Sequence, residues 1–166
     1  MREILATDGR IALTVQLDSD PAALAAAHDG LFEVDPDDRP QPPPATLTRA
    51  SVVWSDTDEL LGVVSWHQVG WGRTRACAAW NVGIALLPTA RGRRAGVGAL
   101  ALVARHLFAT TDLDRVEAAT DVDNAAANRA LLGAGFQREG VVRGAQLRTG
   151  VRRDMVLYGF LRSDLV

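Results

Sequence analysis

The sequence predicts a mixed fold of the α/β (α+β) type on three observations. The segment Val82–Leu87 is short and almost wholly apolar, and it ends at Pro88, which cannot continue a β-ladder, so we expect a strand. A helical pattern follows from Gly98, with apolar residues at the i, i+3, i+4 spacing of one buried stripe. The stripe consists of Leu100, Val103, Ala104, Leu107 and Phe108. Other segments rich in β-formers flank this pair, and 166 residues suit a single domain over residues 1–166.

The amino-terminal segment is predicted to form a strand and a short helix. Ile11–Leu17 is rich in β-forming residues and is expected to be the first strand. Asp20 and Pro21 are typical of an N-cap and a first helical residue, which predicts an alanine-rich helix over Ala22–His28. Gly30 is expected to end this helix.

A proline-rich connector and a hairpin follow. Residues 35–45 hold five prolines in eleven residues and are predicted to be irregular, either bordering the substrate site or serving as a surface connector. Ala50–Trp54 and Leu60–Val69 are separated by a polar turn, so the two segments are predicted to form a hairpin.

The carboxyl-terminal segment is predicted to alternate between strands and a helix. Arg115–Thr120 is expected to be a strand, and Asp123 or Asn124 can cap a helix over Ala125–Leu132. Glycines then end the helix. Two closing strands are expected, Phe136–Val142 and Arg153–Leu161.

The loop between the central strand and its helix has the composition of a phosphate site. Its glycines, Gly96 and Gly98, let the backbone approach a ligand, and a helix start offers free N–H groups with partial positive charge. Arg91, Arg93 and Arg94 add full charges and bidentate donors. We therefore expect this loop to hold a diphosphate.

Two common phosphate-binding motifs fit this loop poorly. A P-loop requires a lysine and a hydroxyl residue after its last glycine, and neither Gly96 nor Gly98 is followed by that pair. Gly96, Gly98 and Ala101 match the dinucleotide fingerprint G-x-G-x-x-[GA], with Glu117 at about the distance of a ribose-binding acid. However, eight residues separate Leu87 from Gly96, and too little chain follows for two halves of a parallel sheet. A nicotinamide oxidoreductase therefore remains only an outside alternative.

Composition limits the classes of partner. The net charge is −2 and 48% of the residues are hydrophobic, so neither a nucleic-acid partner nor disorder is favoured. No apolar run reaches the length of a membrane helix and residues 1–20 lack a signal-peptide pattern, so we expect no membrane partner. Cys77 is the only cysteine, which excludes an intrachain disulfide and favours a cytoplasmic location; the thiol is either reactive or simply half-buried.

Two segments together resemble the GCN5-related N-acetyltransferase (GNAT) superfamily. Arg93, Gly96 and Gly98 match its acetyl-coenzyme A loop pattern [QR]-x-x-G-x-[GA]. Residues 124–136 are similar to its N-x-x-[SA]-x-x-x-[LY]-x-x-x-G-F signature. Residues 81–162 look like the RimJ/RimL ribosomal-protein-alanine acetyltransferase branch. The resemblance implies a GNAT-like, mostly antiparallel sheet of six to seven strands flanked by helices and splayed between the fourth and fifth strands.

The resemblance also implies a cofactor, acetyl-CoA, and residues that would bind it. The splayed strand would offer backbone N–H groups at Ile84 and Leu86. Arginines and amides of the loop would grip the diphosphate, and an asparagine would meet the pantetheine arm. These expected residues are Arg91, Arg93, Arg94, Ala95, Gly96, Val97, Gly98, Asn124 and Asn128. Ala127 replaces a serine that many relatives use to bond the cofactor.

The expected acid and base of the family are missing. Relatives often carry a glutamate at the start of the central strand and a tyrosine in the later helix, where this chain has Asn81 and Leu131. Asn81 can orient a water but cannot accept a proton. The remaining candidates are His67, Asp121 and Glu117, and histidine is the residue type most often used for proton transfer near neutral pH. Each is alternatively an ordinary polar residue.

The acceptor and its pocket stay open. Trp66 and Trp71 are candidate substrate-binding residues, and Trp71 is favoured because glycines flank it, whereas Trp54, Trp66 and Trp80 lie on predicted strands and fit a core. We expect an N-acetyltransferase acting on a protein N-terminal amine or a small amine, as a monomer or homodimer and without a metal. The alternative is a non-catalytic module that senses acyl-CoA.

Overall fold

The computed structural model describes residues 2–37, 39 and 41–165. Its helices are α1 (Asp20–Ala26), α2 (Ala95–Thr110) and α3 (Ala125–Gly133). Its strands are β1 (Ile4–Thr7), β2 (Ile11–Thr14), β3 (Thr48–Trp54), β4 (Leu60–Gly70), β5 (Ala78–Leu86), β6 (Arg115–Asp121), β7 (Gln137–Arg148) and β8 (Val151–Leu161). These eight strands form one sheet in the order β1-β2-β3-β4-β5-β6-β8-β7.

The sheet is interrupted at its one parallel pair. All other neighbours pair antiparallel, whereas β5 and β6 run parallel and are in register only at Trp80–Val116 and Asn81–Glu117. Both strands continue beyond these pairs, β5 to Leu86 and β6 to Asp121. We call the unpaired stretch between residues 82–86 and 118–121 the wedge. It confirms the splay predicted between the fourth and fifth strands, which become the fifth and sixth because β1 precedes them.

Helix α2 covers one face of the sheet and builds the core there. Its apolar stripe is buried as predicted, from Leu100 to Phe108. Trp66 meets His106 of the helix edge-on, with ring centroids 6.0 Å apart, and the Trp80 Nε1–H donates to Thr111 Oγ1 over 3.0 Å. Alternate residues of β4, β5 and β6 therefore face α2, and the residues between them face the opposite side.

Several predicted boundaries were wrong at the ends of elements. Strand β1 was not predicted, although Asp8-Gly9 is a strong hairpin signal and Gly9 has a φ of 87°. Helix α2 begins three residues before Gly98, and β5 begins at Ala78, earlier than the predicted Val82. Residues 143–150, which were expected to link the last two strands, belong mostly to β7, which extends to Arg148. A tight turn at Thr149 and Gly150, both with positive φ, joins β7 to β8.

Asp20 was predicted to be the N-cap of α1, and this prediction is wrong. The N-cap is Ser19, and the buried carboxylate of Asp20 instead accepts hydrogen bonds from Arg2, at 2.5 and 2.9 Å, and from Ser51 Oγ at 2.6 Å. The Arg2 guanidinium lowers the pKa of this carboxyl to about 2. Asp20 thus ties the amino terminus to β3.

The proline-rich segment has no regular structure in its described residues. Asp38 and Pro40, which the prediction of irregular chain also included, lie outside them. Among the residues that the structure describes, no helix has the length and apolarity needed to cross a bilayer.

Candidate functional site

The connection from β5 to α2 is a compact turn. Pro88–Ala90 form one turn of 3₁₀ helix, Gly92 has a φ of 75°, and Arg94 adopts the left-handed conformation with a φ of 60° as the N-cap of α2. This conformation is uncommon for a residue with a side chain. The chain therefore turns sharply, so that α2 begins directly beyond the end of β5.

The first amides of α2 have no capping partner. Gly98 N donates to Arg94 O over 3.3 Å, so Ala95, Gly96 and Val97 precede the first intrahelical bond. Among the residues that the structure describes, no side chain caps this end, and the first turn of α2 contains no acidic residue. Free N–H groups and the positive end of the helix dipole together favour an anion here.

The three loop arginines have different partners. Arg91 forms an ion pair with Asp29 and donates to Leu86 O over 3.3 Å. Arg93 lies over the Trp54 ring, 4.9 Å from its centroid, with Glu59 Oε1 3.7 Å away. The Arg94 side chain is exposed and, within the described part of the chain, has no hydrogen-bond or ion-pair partner. Arg94 is thus the guanidinium most available to a phosphate.

The two loop glycines differ in what surrounds them. A Cβ on Gly96 would lie 3.4 Å from Leu86 Cδ1 and 3.6 Å from Ala130 Cβ, which is ordinary contact. A Cβ on Gly98 would lie only 2.7 Å from Ile11 Cδ1. Gly98 therefore lets α2 pack closely on β2, a role that the sequence pattern did not reveal.

The wedge presents backbone amides of β5. Leu87 N donates to Leu61 O over 2.8 Å, and no bulge interrupts the β4–β5 register back to Ala78. Because N–H directions alternate along a strand, those of Leu86 and Ile84 point away from β4 and into the wedge. These are the two residues expected to offer backbone donors.

Two asparagines hold the turn between β6 and α3. Asn124 is the N-cap of α3, and its Oδ1 accepts from Ala127 N over 3.1 Å. The Asn128 amide donates to the carbonyls of Asp121 and Asn124, and its Oδ1 accepts the Tyr158 hydroxyl at 2.7 Å. The Nδ2 of Asn124 is the group left to meet a ligand, whereas the amide of Asn128 is engaged within the fold.

Three polar side chains form a row at the closed end of the wedge. His67 is in register with Asn81, and Asn81 is in register with Glu117, so their side chains share the face opposite α2. The Asn81–Glu117 pair is the last before the wedge opens. Glu117 is 5% exposed. The structure thus brings His67, Asn81 and Glu117 together.

Asp121 lies apart from this row. It is about 13 Å farther along β6, at roughly 3.3 Å per residue. It pairs with Arg148 over 2.6 Å, both side chains are buried, and its other oxygen accepts from Asp123 N. Asp121 therefore stabilises the end of β6, and it is too far from the row to act as its base, which corrects the prediction for Asp121.

Glu117 belongs to a chain of charged and aromatic groups. Its Oε2 accepts from Trp71 Nε1 over 2.8 Å and from Arg115 Nε over 3.1 Å. Arg115 also donates two hydrogen bonds to Glu139, at 2.7 and 2.6 Å, which lowers the pKa of the Glu139 carboxyl. The Arg115–Glu139 ion pair has room because Gly159 has no side chain: a Cβ there would lie 2.2 Å from Glu139 Oε1. We call Trp71, Arg115, Glu117 and Glu139 the Trp71 cluster.

The two candidate pocket tryptophans are placed differently. Trp66 is 6% exposed and packs under α2, so it cannot line a pocket on the opposite face, and the prediction for Trp66 is corrected. Trp71 is 63% exposed and borders a cavity of about 410 Å³, together with Ala78, Arg115 and Glu139. Sequence reasoning had not included Arg115 or Glu139, because neither belongs to a motif.

Comparison with known proteins shows the family of the chain. A family model described as an acetyltransferase (GNAT) domain matches residues 14–137, about three quarters of the chain. The chain is 30% identical over 107 residues to the uncharacterized N-acetyltransferase YoaA of Bacillus subtilis (strain 168). That match includes 64% of this chain and spans only 58% of the length of YoaA.

Solved structures share the fold at lower identity. Mycobacterium smegmatis RimJ in complex with CoA-disulfide is similar with a TM-score of 0.75 at 19% identity, covering 93% of this chain and 83% of that one. The microcin C7 self-immunity acetyltransferase MccE, in complex with acetyl-CoA and AMP, has a TM-score of 0.60 at 21% identity, covering 70% and 61%.

Proposed function

Since the chain belongs to the GNAT acetyltransferase family, we propose that it is an acetyl-CoA-dependent N-acetyltransferase that moves an acetyl group from the thioester to a primary amine. Transfer would be direct, through a tetrahedral intermediate. The acceptor would be a protein N-terminal amine or a small-molecule amine.

One observation carries this proposal: the uncapped start of α2 lies directly beyond the end of β5, and residues 82–86 of β5 are unpaired on the side that faces β6. The amides of Ala95, Gly96 and Val97 and the open Arg94 side chain suit a diphosphate. The inward N–H groups of Ile84 and Leu86 suit an extended, amide-containing arm that lies along the strand. Coenzyme A combines these two chemical features.

Acetyl-CoA, when bound, would supply the activated acetyl group. The chain's part is to hold it and to place donors where negative charge develops on the carbonyl oxygen. The wedge amides of β5 are suited to this, because they are fixed by the β4–β5 ladder and need no reorganisation. Arg91 would strengthen the phosphate site only if the phosphates displaced its partner Asp29.

The acceptor must reach the carbonyl as a neutral amine. An α-amino group titrates near pH 8 and a lysine side chain near pH 10.4, so an N-terminal amine needs less help from a base. His67 and Glu117 flank Asn81 at the closed end of the wedge, where an acceptor amine would lie. We propose His67 as the group that accepts the proton directly or through water, and Asn81 as a group that orients the water.

A non-catalytic acyl-CoA sensor is the alternative, and one observation favours it. Asn81 and Leu131 occupy the positions where relatives often have their base and acid, and Leu131 is 4% exposed in the core. Neither residue can transfer a proton. A sensor would use the same binding site without turnover.

An assay of free thiol separates the two functions. The chain would be incubated with acetyl-CoA and a panel of small amines and N-terminal peptides, and release of coenzyme A thiol would be followed spectroscopically. Acceptor-dependent release supports the transferase. Saturable coenzyme A binding without release for any acceptor supports the sensor, and failure to bind coenzyme A at all refutes both.

A further inference from the structure

An aromatic ring stands open to solvent beside the closed end of the wedge. The Trp71 side chain is 63% exposed, yet its indole N–H is bound to buried Glu117 and its backbone N donates to Cys77 O over 2.9 Å. The ring is therefore held at both ends in an exposed position. The Arg115 guanidinium lies over one face of the ring, and the rest of the ring surface is open to solvent.

The groups around this ring carry a net negative charge. Glu117 and Glu139 contribute two carboxylates, and Arg115, which bonds to both, contributes one guanidinium. Arg115 lies 5.9 Å from the centroid of the Trp71 ring. Both bonds to Glu117 end on Oε2, and its Oε1 has no hydrogen-bond partner among the residues described. One acceptor oxygen is thus left for a further donor.

The position of the cluster connects a cavity to the wedge. The cavity of about 410 Å³ lies beside Trp71, Arg115 and Glu139. Glu117 is in the last registered pair before the wedge begins. A molecule seated in the cavity could therefore extend past Glu117 towards the wedge. The volume suits a small molecule rather than a protein surface.

We propose that the Trp71 cluster is the acceptor subsite and that it selects a small amine that arrives with a positive charge. The exposed ring would bind the cation through the π-face that Arg115 does not cover, and the excess carboxylate would compensate the charge. Glu117 Oε1 would accept a hydrogen bond from the ligand. This inference rests on the proposed function, because it names the acceptor class of that same site.

A pair of probes of equal shape tests the inference without requiring turnover. Choline carries a quaternary ammonium, and 3,3-dimethylbutanol is its neutral counterpart. Binding of each to the whole chain would be measured from the line widths of its methyl protons, with and without coenzyme A. We expect choline to bind about tenfold more tightly than the alcohol. Equal affinities for the two probes, or no binding of choline at millimolar choline concentrations, would overturn the inference.

Variants locate the site. Trp71→Leu removes the π-face and should weaken choline binding about tenfold. Glu117→Gln removes one negative charge and should weaken choline binding several-fold. Phe32→Leu changes an exposed aromatic residue elsewhere and should leave choline binding unchanged. Native affinity for choline in both cluster variants would contradict the assignment.

A coenzyme A titration of the same proteins keeps the two proposals apart. Retained coenzyme A binding shows that a variant is folded. If Trp71→Leu does not fold, Glu117→Gln and the comparison of the two probes on the natural chain still decide the question. If the natural chain binds coenzyme A but shows no preference for choline over the neutral alcohol, only the acceptor class is refuted. Failure of the natural chain to bind coenzyme A refutes the proposed function.

Discussion

The glycine at position 98 is predicted to be a packing residue, and adding a single carbon atom at this position tests the prediction. A Cβ on Gly98 would lie 2.7 Å from Ile11 Cδ1, and Ile11 is 1% exposed, with little room to move. Helix propensity alone favours alanine by about 1 kcal/mol, whereas overpacking costs about 1–3 kcal/mol. Gly98→Ala should therefore lower the free energy of unfolding by about 1 kcal/mol, the difference between these effects.

Ile11→Val removes the clashing Cδ1 and provides the matched partner for a double-mutant cycle. Alone it should cost about 0.5–1.5 kcal/mol. Combined with Gly98→Ala it should make room for the new methyl, so the double variant should be about 1–2 kcal/mol more stable than the sum of the two changes. Urea unfolding of the four proteins measures this coupling. If Gly98→Ala stabilises the chain and the coupling is near zero, the packing role is wrong.

Three further predictions concern the cofactor site and stability. Gly96→Glu should weaken coenzyme A binding by about 100-fold or more through charge repulsion, whereas Gly96→Ala, whose Cβ has ordinary contacts, should change it little. Equal affinities of these two variants for coenzyme A in a calorimetric titration would contradict the phosphate site. Because Arg2 lowers the pKa of Asp20 to about 2, below its unfolded value near 3.9, about 2 kcal/mol of stability is present above pH 4 and lost as the pH falls towards 2. Urea midpoints should therefore fall more steeply over this range for the natural chain than for Asp20→Asn, and parallel curves would refute the role of the pair. Tyr158→Phe should cost about 1–3 kcal/mol by leaving the Oδ1 of Asn128 unpaired, and an unchanged unfolding free energy would contradict that bond.

Local patterns in the sequence were sufficient for the central part of the fold. The apolar run before Pro88 and the helical stripe after Gly98 each depend on neighbouring residues, and both elements were confirmed, although each begins earlier than predicted. The ends of elements were less predictable. Residues 143–150, between the two predicted closing strands, contain glycines and few apolar residues and were not predicted to be strand. Pairing with β8 nevertheless keeps β7 extended to Arg148.

The candidate site divides in the same way. The loop residues follow one another in the chain, so a motif could find them. The Trp71 cluster is assembled from three separate segments: Trp71 follows β4, Arg115 and Glu117 lie in β6, and Glu139 lies in β7. Only the pairing of these strands through β5 and β8 brings them together. Trp66 and Trp71 are only five residues apart in sequence, but the alternation of β4 sends Trp66 under α2, whereas Trp71 lies beyond the end of that strand.

The binding of a diphosphate at the start of α2 is the claim on which the proposed function depends. Its most direct test is a series of amide ¹⁵N–¹H spectra of the labelled chain recorded during titration with coenzyme A. We expect the amide protons of Ala95, Gly96 and Val97 to shift in a saturable manner, while that of Ala109, at the opposite end of the helix, stays in place. Saturable binding that leaves these three amides unmoved would show that the phosphates lie elsewhere.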